Sequence, residues 1–215
     1  MIYWITNLIG FGAQLFFSAR IIVQWLMSER AKRVLSPTIF WIFSLLGSYL
    51  LSIYGWLRDD FAIIFGQFVT YYVYIWNLKA KHEWQKWPKL LRSVILFTPL
   101  IVILFLLRQS DYVLEKLFYN EEIPLGLLVF GALGQLLFTL RFIYQYLYSK
   151  RRNSSILPSG FWIISIIGSM CILIYGIFRS DLVLIIGQSF GLFAYIRNLI
   201  ILRNQSRYAE LEVSK

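Results

Sequence analysis

Residues 14–78 recur at 135–199 with a constant offset of 121 and no gap, and 28 of the 65 paired positions are identical. A period of this kind means one structural unit built twice. The shared residues are chemically selective. They include Gln14/Gln135, Arg20/Arg141, Gln24/Gln145, Pro37/Pro158, Ser44/Ser165, Gly47-Ser48/Gly168-Ser169, Gly66-Gln67/Gly187-Gln188 and Asn77/Asn198. Each unit is almost wholly apolar, yet each keeps an arginine and three glutamines inside apolar stretches. Buried polar sets related by a repeat are a common way for membrane carriers to build one central site.

The composition fixes the class. The chain is 59% hydrophobic, 19% aromatic and only 15% charged, with a mean hydropathy of +0.64. A soluble domain of 215 residues cannot hide that much apolar surface. The net charge of +10 raises nucleic acid as a partner. That reading is rejected, because the bases sit in short loops beside the apolar runs, where the positive-inside bias puts them. Cys171 is the sole cysteine and His82 the sole histidine, so no disulfide, metal site or cofactor is expected. The start of the chain lacks a basic leader with a small-residue cleavage site, so the first span is expected to be retained.

Seven membrane spans are predicted, at 3–27, 37–57, 61–78, 90–107, 124–148, 158–178 and 182–202. Pro37 and Pro158 open their spans, where a missing N–H costs little. Arg58-Asp59-Asp60 and Arg179-Ser180-Asp181 are short connections that force antiparallel hairpins, with Asp60 and Asp181 read as helix caps. Fourteen Lys and Arg residues fall on one side of this topology and four on the other. The excess puts the N-terminus outside and the C-terminus in the cytoplasm. The span at 90–107 matches nothing else, as a connector would. It makes the two repeats parallel. The expected fold is therefore all-α integral membrane, with two parallel three-helix repeats joined by a linker helix. The repeats are bounded at 1–79 and 124–215, with the linker at 80–123.

Arg20 lies about seven residues, or ~10 Å, from the basic end of its span. Burial there costs ~2.5–3.5 kcal/mol on insertion scales. One reading has Arg20 and Arg141 snorkelling to headgroups. The other has both guanidiniums binding a phosphate or carboxylate near the axis. Gln24 and Gln145 follow four residues later on the same face and would orient the guanidiniums or contact the ligand. Gln14 lies about 120° from that stripe and is expected to bond within its own bundle. Asn77 and Asn198 end the third helix of each repeat, where capping is the favoured role. Gly47-Ser48 and Gly168-Ser169 read as close-packing pairs. The tryptophans near span ends read as belt anchors.

Ser36-Pro37, Tyr54-Gly55 and Gln67, matched by Pro158, Tyr175-Gly176 and Gln188, resemble the PQ-loop and SWEET transporter group. The resemblance implies a SWEET-like 3+1+3 bundle. Pro37 and Pro158 would be hinges, and Gln67 and Gln188 would line a pocket. SWEETs carry asparagine where this chain has Gly-Gln. A closer resemblance is to the small membrane domain called the lipid A biosynthesis N-terminal domain, here in tandem. It rests on Arg20-Ile-Ile-Val-Gln24-Trp25, Ser28-Glu29, Phe40-Trp41, Gly47-Ser48, Gly66-Gln67 and Asn77-Leu78. The second copy carries Arg141, Gln145, Phe161-Trp162, Gly187-Gln188 and Asn198-Leu199. The resemblance implies handling of a lipid or lipid-linked glycan.

No acidic residue lies securely inside a span, so proton coupling through a buried carboxylate is not expected. No phosphate loop or nucleophile–base pair is visible, and the chain is not expected to be an enzyme. The primary expectation is a flippase-like carrier of an anionic lipid or lipid-linked sugar in the bacterial inner membrane. Its substrate-binding set would be Arg20, Gln24, Gln67, Arg141, Gln145 and Gln188. The alternatives are a SWEET-like facilitator of a soluble sugar, and a non-transporting lipid-binding partner of an envelope glycosyltransferase.

Overall fold

The structure, a computed structural model, describes residues 2–57, 61–108, 125–178, 180 and 182–213. Arg58, Asp59, Asp60, Arg179 and Asp181 lie outside the described residues. Among the described residues there are seven α-helices: α1 (Ile2–Ala31), α2 (Thr38–Leu57), α3 (Phe61–Ala80), α4 (Lys89–Arg108), α5 (Leu125–Arg151), α6 (Ser159–Phe178) and α7 (Leu182–Val213). One 3-10 turn, Trp84–Lys86, precedes α4. Among the described residues, four stretches, Trp4–Ala31, Thr38–Leu57, Ser159–Phe178 and Ile185–Gln205, are long and apolar enough to cross a membrane.

Local chemistry sets the ends. α2 and α6 begin directly after Pro37 and Pro158, whose carbonyls accept from the Phe40 and Phe161 N–H groups at 3.1 Å. α1 and α5 end at left-handed residues in equivalent places, Lys32 (φ 51°) and Asn153 (φ 48°). α1 packs on α2 and α2 on α3; α5 packs on α6 and α6 on α7. The two groups meet where α3 touches α5 and α1 touches α7. Large apolar side chains such as Leu8, Leu15, Leu133 and Ile186 face outward. Such an outer surface suits hydrocarbon and not water.

α4 docks by an unusual contact. Pro99 lies inside this helix and has no N–H to give to the Ile95 carbonyl one turn back. The Tyr71 hydroxyl supplies that bond at 2.9 Å, and the Tyr72 hydroxyl donates to the Leu96 carbonyl at 3.0 Å. The core is aromatic and runs across the repeats. Tyr74 meets Phe142 edge-on at 5.0 Å, and Phe142 meets Phe161 at 5.3 Å. Polar residues are buried among them, including Arg20, Gln24, Asn77, Arg141, Gln145 and Asn198.

Candidate functional site

Arg20 and Arg141 are each 5% exposed, so neither snorkels. Each is held by its own repeat through the same contacts. Arg20 Nη1 donates to Ser44 Oγ at 3.0 Å and to the Tyr74 hydroxyl at 3.3 Å. Arg141 Nη1 donates to Ser165 Oγ and to the Tyr195 hydroxyl, both at 3.1 Å. The serines are oriented for this. Ser44 and Ser165 give their protons to the Phe40 and Phe161 carbonyls at 2.6 Å, leaving lone pairs for the arginines. Aromatic rings complete each cradle: Phe17 lies 4.5 Å from Arg20 Cζ and Phe138 lies 4.2 Å from Arg141 Cζ. The two guanidiniums share one further ring, Phe142, at 5.3 Å and 4.9 Å.

All these partners are neutral. Among the described residues the ion pairs engage Glu29 and Glu83, so neither buried arginine has a carboxylate partner there. The Nε of each arginine is buried with no acceptor. Both line a cavity of about 470 Å3, together with Gln67, Thr70, Thr139 and Gln188. That volume is ordinary for a small-ligand site. Below the arginines only a void of about 10 Å3 remains, beside Gln24. Such a void is at the threshold for one water. The cavity is thus closed at the end that carries the basic loops.

Gln24 and Gln145 form that closure. Gln24 Nε2 donates to Asn198 Oδ1 at 2.9 Å, and Asn198 Nδ2 returns a bond to Gln24 Oε1 at 3.1 Å. Gln145 and Asn77 exchange the same two bonds at 2.9 and 3.0 Å. Each amide nitrogen shares its two N–H groups between that partner and local acceptors, Ser28 and the Leu35 carbonyl for Gln24, Ser149 and the Ile156 carbonyl for Gln145. Each pair joins one repeat to the other. Asn77 and Asn198 are therefore seam residues and not merely caps. Their signal in the sequence was a buried amide kept at the same place in both repeats. The helix periodicity that put Gln24 beside Arg20 says nothing about a partner 174 positions away.

Gln67 and Gln188 both reach the central cavity, but differently. Gln188 Oε1 accepts from Ser169 at 2.7 Å. In the first repeat the equivalent pair is parted: Ser48 Oγ and Gln67 Oε1 are both buried with no partner. Gln14 also lines the cavity, where its Nε2 comes near Gly187 of the other repeat. Pro37 and Pro158 sit at helix starts, away from the cavity.

A further seam contact escaped the sequence reading. Arg197 Nη2 and Nε donate to the two carboxylate oxygens of Glu29 at 2.6 and 3.2 Å. The pair, helped by Lys32, holds the Glu29 carboxyl below the usual carboxylate range. The two residues lie on α1 and α7, on different repeats.

Fold and site together define a helical membrane protein built on a tandem repeat around a shared cationic cavity. The family described as "Lipid A Biosynthesis N-terminal domain" matches residues 9–79 and 130–200, and the chain belongs to that family. The two matched segments are themselves offset by the repeat period. Among curated proteins, the chain is 31% identical to the "Lipid-A-disaccharide synthase" of Chlamydia abortus, over 94% of this chain. It is 29% identical to the protein of that name in Chlamydia felis, over 94% of this chain, and 28% identical to that in Chlamydia pneumoniae, over 93%. The chain spans about a third of the length of these relatives, 34% in each case. No solved structure matches. The expectation that the chain stands apart from enzymes is corrected by these relatives, which carry an enzyme's name.

Proposed function

We propose that this chain binds a phosphate-bearing lipid or lipid-linked sugar inside a bacterial inner membrane and carries it across. The supporting observation is the pair of buried, repeat-related arginines that face one cavity with no described counter-charge. Magnitudes favour an anion. A charge ~4 Å from a guanidinium gains ~4 kcal/mol at an effective dielectric of 20. A neutral sugar gains a net ~1 kcal/mol per hydrogen bond. The neutral soluble sugar is therefore the weaker candidate.

In this reading the chain is a 3+1+3, SWEET-like carrier with its N-terminus outside and its C-terminus in the cytoplasm. Arg20 and Arg141 bind the phosphate, and Gln67 and Gln188 contact the group attached to it. The two bundles rock about Pro37 and Pro158. Opening toward the basic end parts Gln24 from Asn198 and Gln145 from Asn77, and the freed glutamine amides then face the ligand. The test is translocation of a labelled phosphate-bearing lipid in proteoliposomes. The wild type moves the lipid and the Arg20→Gln/Arg141→Gln protein does not. Equal rates would remove the anion site from the mechanism.

The relatives' names favour a second reading. The chain serves as the membrane module of a lipid-A-disaccharide synthase system and holds the lipid while a glycosyltransferase acts on it. Lipid binding with wild-type arginine dependence, no translocation, and co-purification with that transferase would select this reading.

A further inference from the structure

An apolar groove adjoins the central cavity on the first repeat. The groove, of about 170 Å3, runs between α2, α3 and α4, with Ile53, Trp56, Phe68, Val102 and Ile103 in its walls. An apolar space of roughly 150 Å3 takes a benzene ring, so this one admits a ring-sized length of hydrocarbon. Gln67 lines both the groove and the arginine cavity. It is only 8% exposed, and its Oε1 has no partner. Its counterpart Gln188 is tied down by Ser169, while Ser48, which would do the same for Gln67, stands apart. The side chain at the junction is thus a buried acceptor in need of a donor.

The groove exists because α4 covers the first repeat. Tyr71 and Tyr72 hold that helix at its proline. The second repeat has Leu192 and Phe193 at those positions, with no hydroxyl to offer, and Phe193 is exposed. Two spaces therefore adjoin at Gln67, a cationic chamber on one side and an apolar groove on the other. That is the polarity of an amphiphile.

We propose that this groove takes a ring-sized length of one acyl chain of the same phosphate-bearing lipid whose head occupies the arginine cavity. The inference rests on the anionic-lipid reading above. The orphan Gln67 Oε1 adds a requirement: the junction between head and chain carries an O–H or N–H donor. The substrate class is then a phosphorylated lipid with a hydroxyl or amide at the head of its chain, bound with the start of that chain in the groove and its head between the repeats.

The experiment uses the full chain in nanodiscs with two photoreactive probes. Ceramide 1-phosphate with a diazirine near the start of its acyl chain is compared with the same ceramide lacking phosphate. The phosphorylated probe should label Ile53, Val102 or Ile103 at least about fivefold more than the neutral one, the lower edge of ordinary coupling between two sites. Val102→Trp, or Ile103→Phe if that variant does not fold, should abolish the labelling. Arg20→Gln/Arg141→Gln should reduce it to the neutral probe's level. Phosphate-dependent, arginine-dependent labelling that falls elsewhere and ignores the groove variants would overturn the groove while leaving the anion site standing. Equal labelling by both probes, indifferent to the arginines, would mean annular lipid only and would overturn both.

Discussion

The two repeats agree in the arginine cradles and the amide seams and differ in what surrounds them. Arg, Ser and Tyr build the same cradle twice, and Gln, Asn and Ser build the same seam twice. Outside that shared centre the copies part. The seam between α1 and α7 is reinforced by the Glu29–Arg197 ion pair. At the equivalent place between α3 and α5, Trp76 packs edge-on against Tyr146 at 5.1 Å. The Trp41 indole donates to Ser36 at 2.9 Å, whereas Trp162, with Leu157 in the serine's place, has no acceptor. The difference teaches which features the shared site needs. The arginine cradle and the amide exchange restrict both copies equally. The periphery is free to acquire a linker helix on one side and an ion pair on the other.

The largest test of that comparison is to break each seam once. Trp41, Ser36, Ser155 and Asn77 form a chain of hydrogen bonds that ends on Asn77 Oδ1. Asn77 therefore serves Gln145 and Ser155, while Asn198 serves Gln24 alone across its seam. Asn77→Leu should cost ~1–3 kcal/mol for each buried group stranded. That exceeds the ~0.6 kcal/mol average of interhelical bonds in membranes, because both ends of an amide lose their partner. Asn198→Leu should cost less. Unfolding midpoints in detergent would show the order. Asn77→Leu/Gln145→Leu should be milder than the sum of its parts. Equal costs for the two asparagines would mean the serine chain adds nothing.

A smaller effect is expected where the repeats differ in backbone approach. A Cβ on Gly134 would lie 2.7 Å from Ile172 Cγ1, 3.2 Å from Cys171 Cβ and 3.3 Å from the Gly168 carbonyl oxygen. The equivalent position of the first repeat already carries a Cβ, the fully buried Ala13. At this position α5 and α6 are thus fitted more closely than α1 and α2. Gly134→Ala should destabilise by about 1 kcal/mol, the low end of overpacking costs. Ala13→Gly should leave the helices in place. Thermal shifts of the two variants, read side by side, would show whether the closer fit is real.

Much of this plan was legible in the chain. The offset of 121 gave the tandem units, the two prolines marked where α2 and α6 begin, and Arg20 and Arg141 announced themselves as charges in apolar runs. The pairing of Gln24 with Asn198 was not legible, because it depends on how two bundles dock and not on any local period. The Tyr71 and Tyr72 contacts with α4 were hidden for the same reason. They answer a proline whose effect on a carbonyl one turn away shows only in three dimensions. α1 and α7 extend past their predicted spans, since hydropathy marks the hydrocarbon slab while helical hydrogen bonding continues beyond it. The link to an enzyme's name lies in relatives about three times longer than this chain and has no trace in its own residues.

The smallest effect should separate the seams by pH. Glu29 is held below its ordinary value by its bonds from Arg197 and Lys32. A depressed carboxylate contributes stability above its unfolded value, ~4.3, and loses it as pH falls through the lower folded value. The α1–α7 seam should therefore loosen at acid pH below that point, while the aromatic α3–α5 contact, Trp76 on Tyr146, has no carboxylate to protonate. Hydrogen exchange corrected for its intrinsic pH dependence should rise in residues 21–36 before residues 70–80. Arg197→Trp puts the first repeat's residue at that position and should erase the difference. Raised salt should mimic the acid effect weakly, since the pair is partly exposed. Simultaneous loosening of both seams would assign the acid response to something other than Glu29.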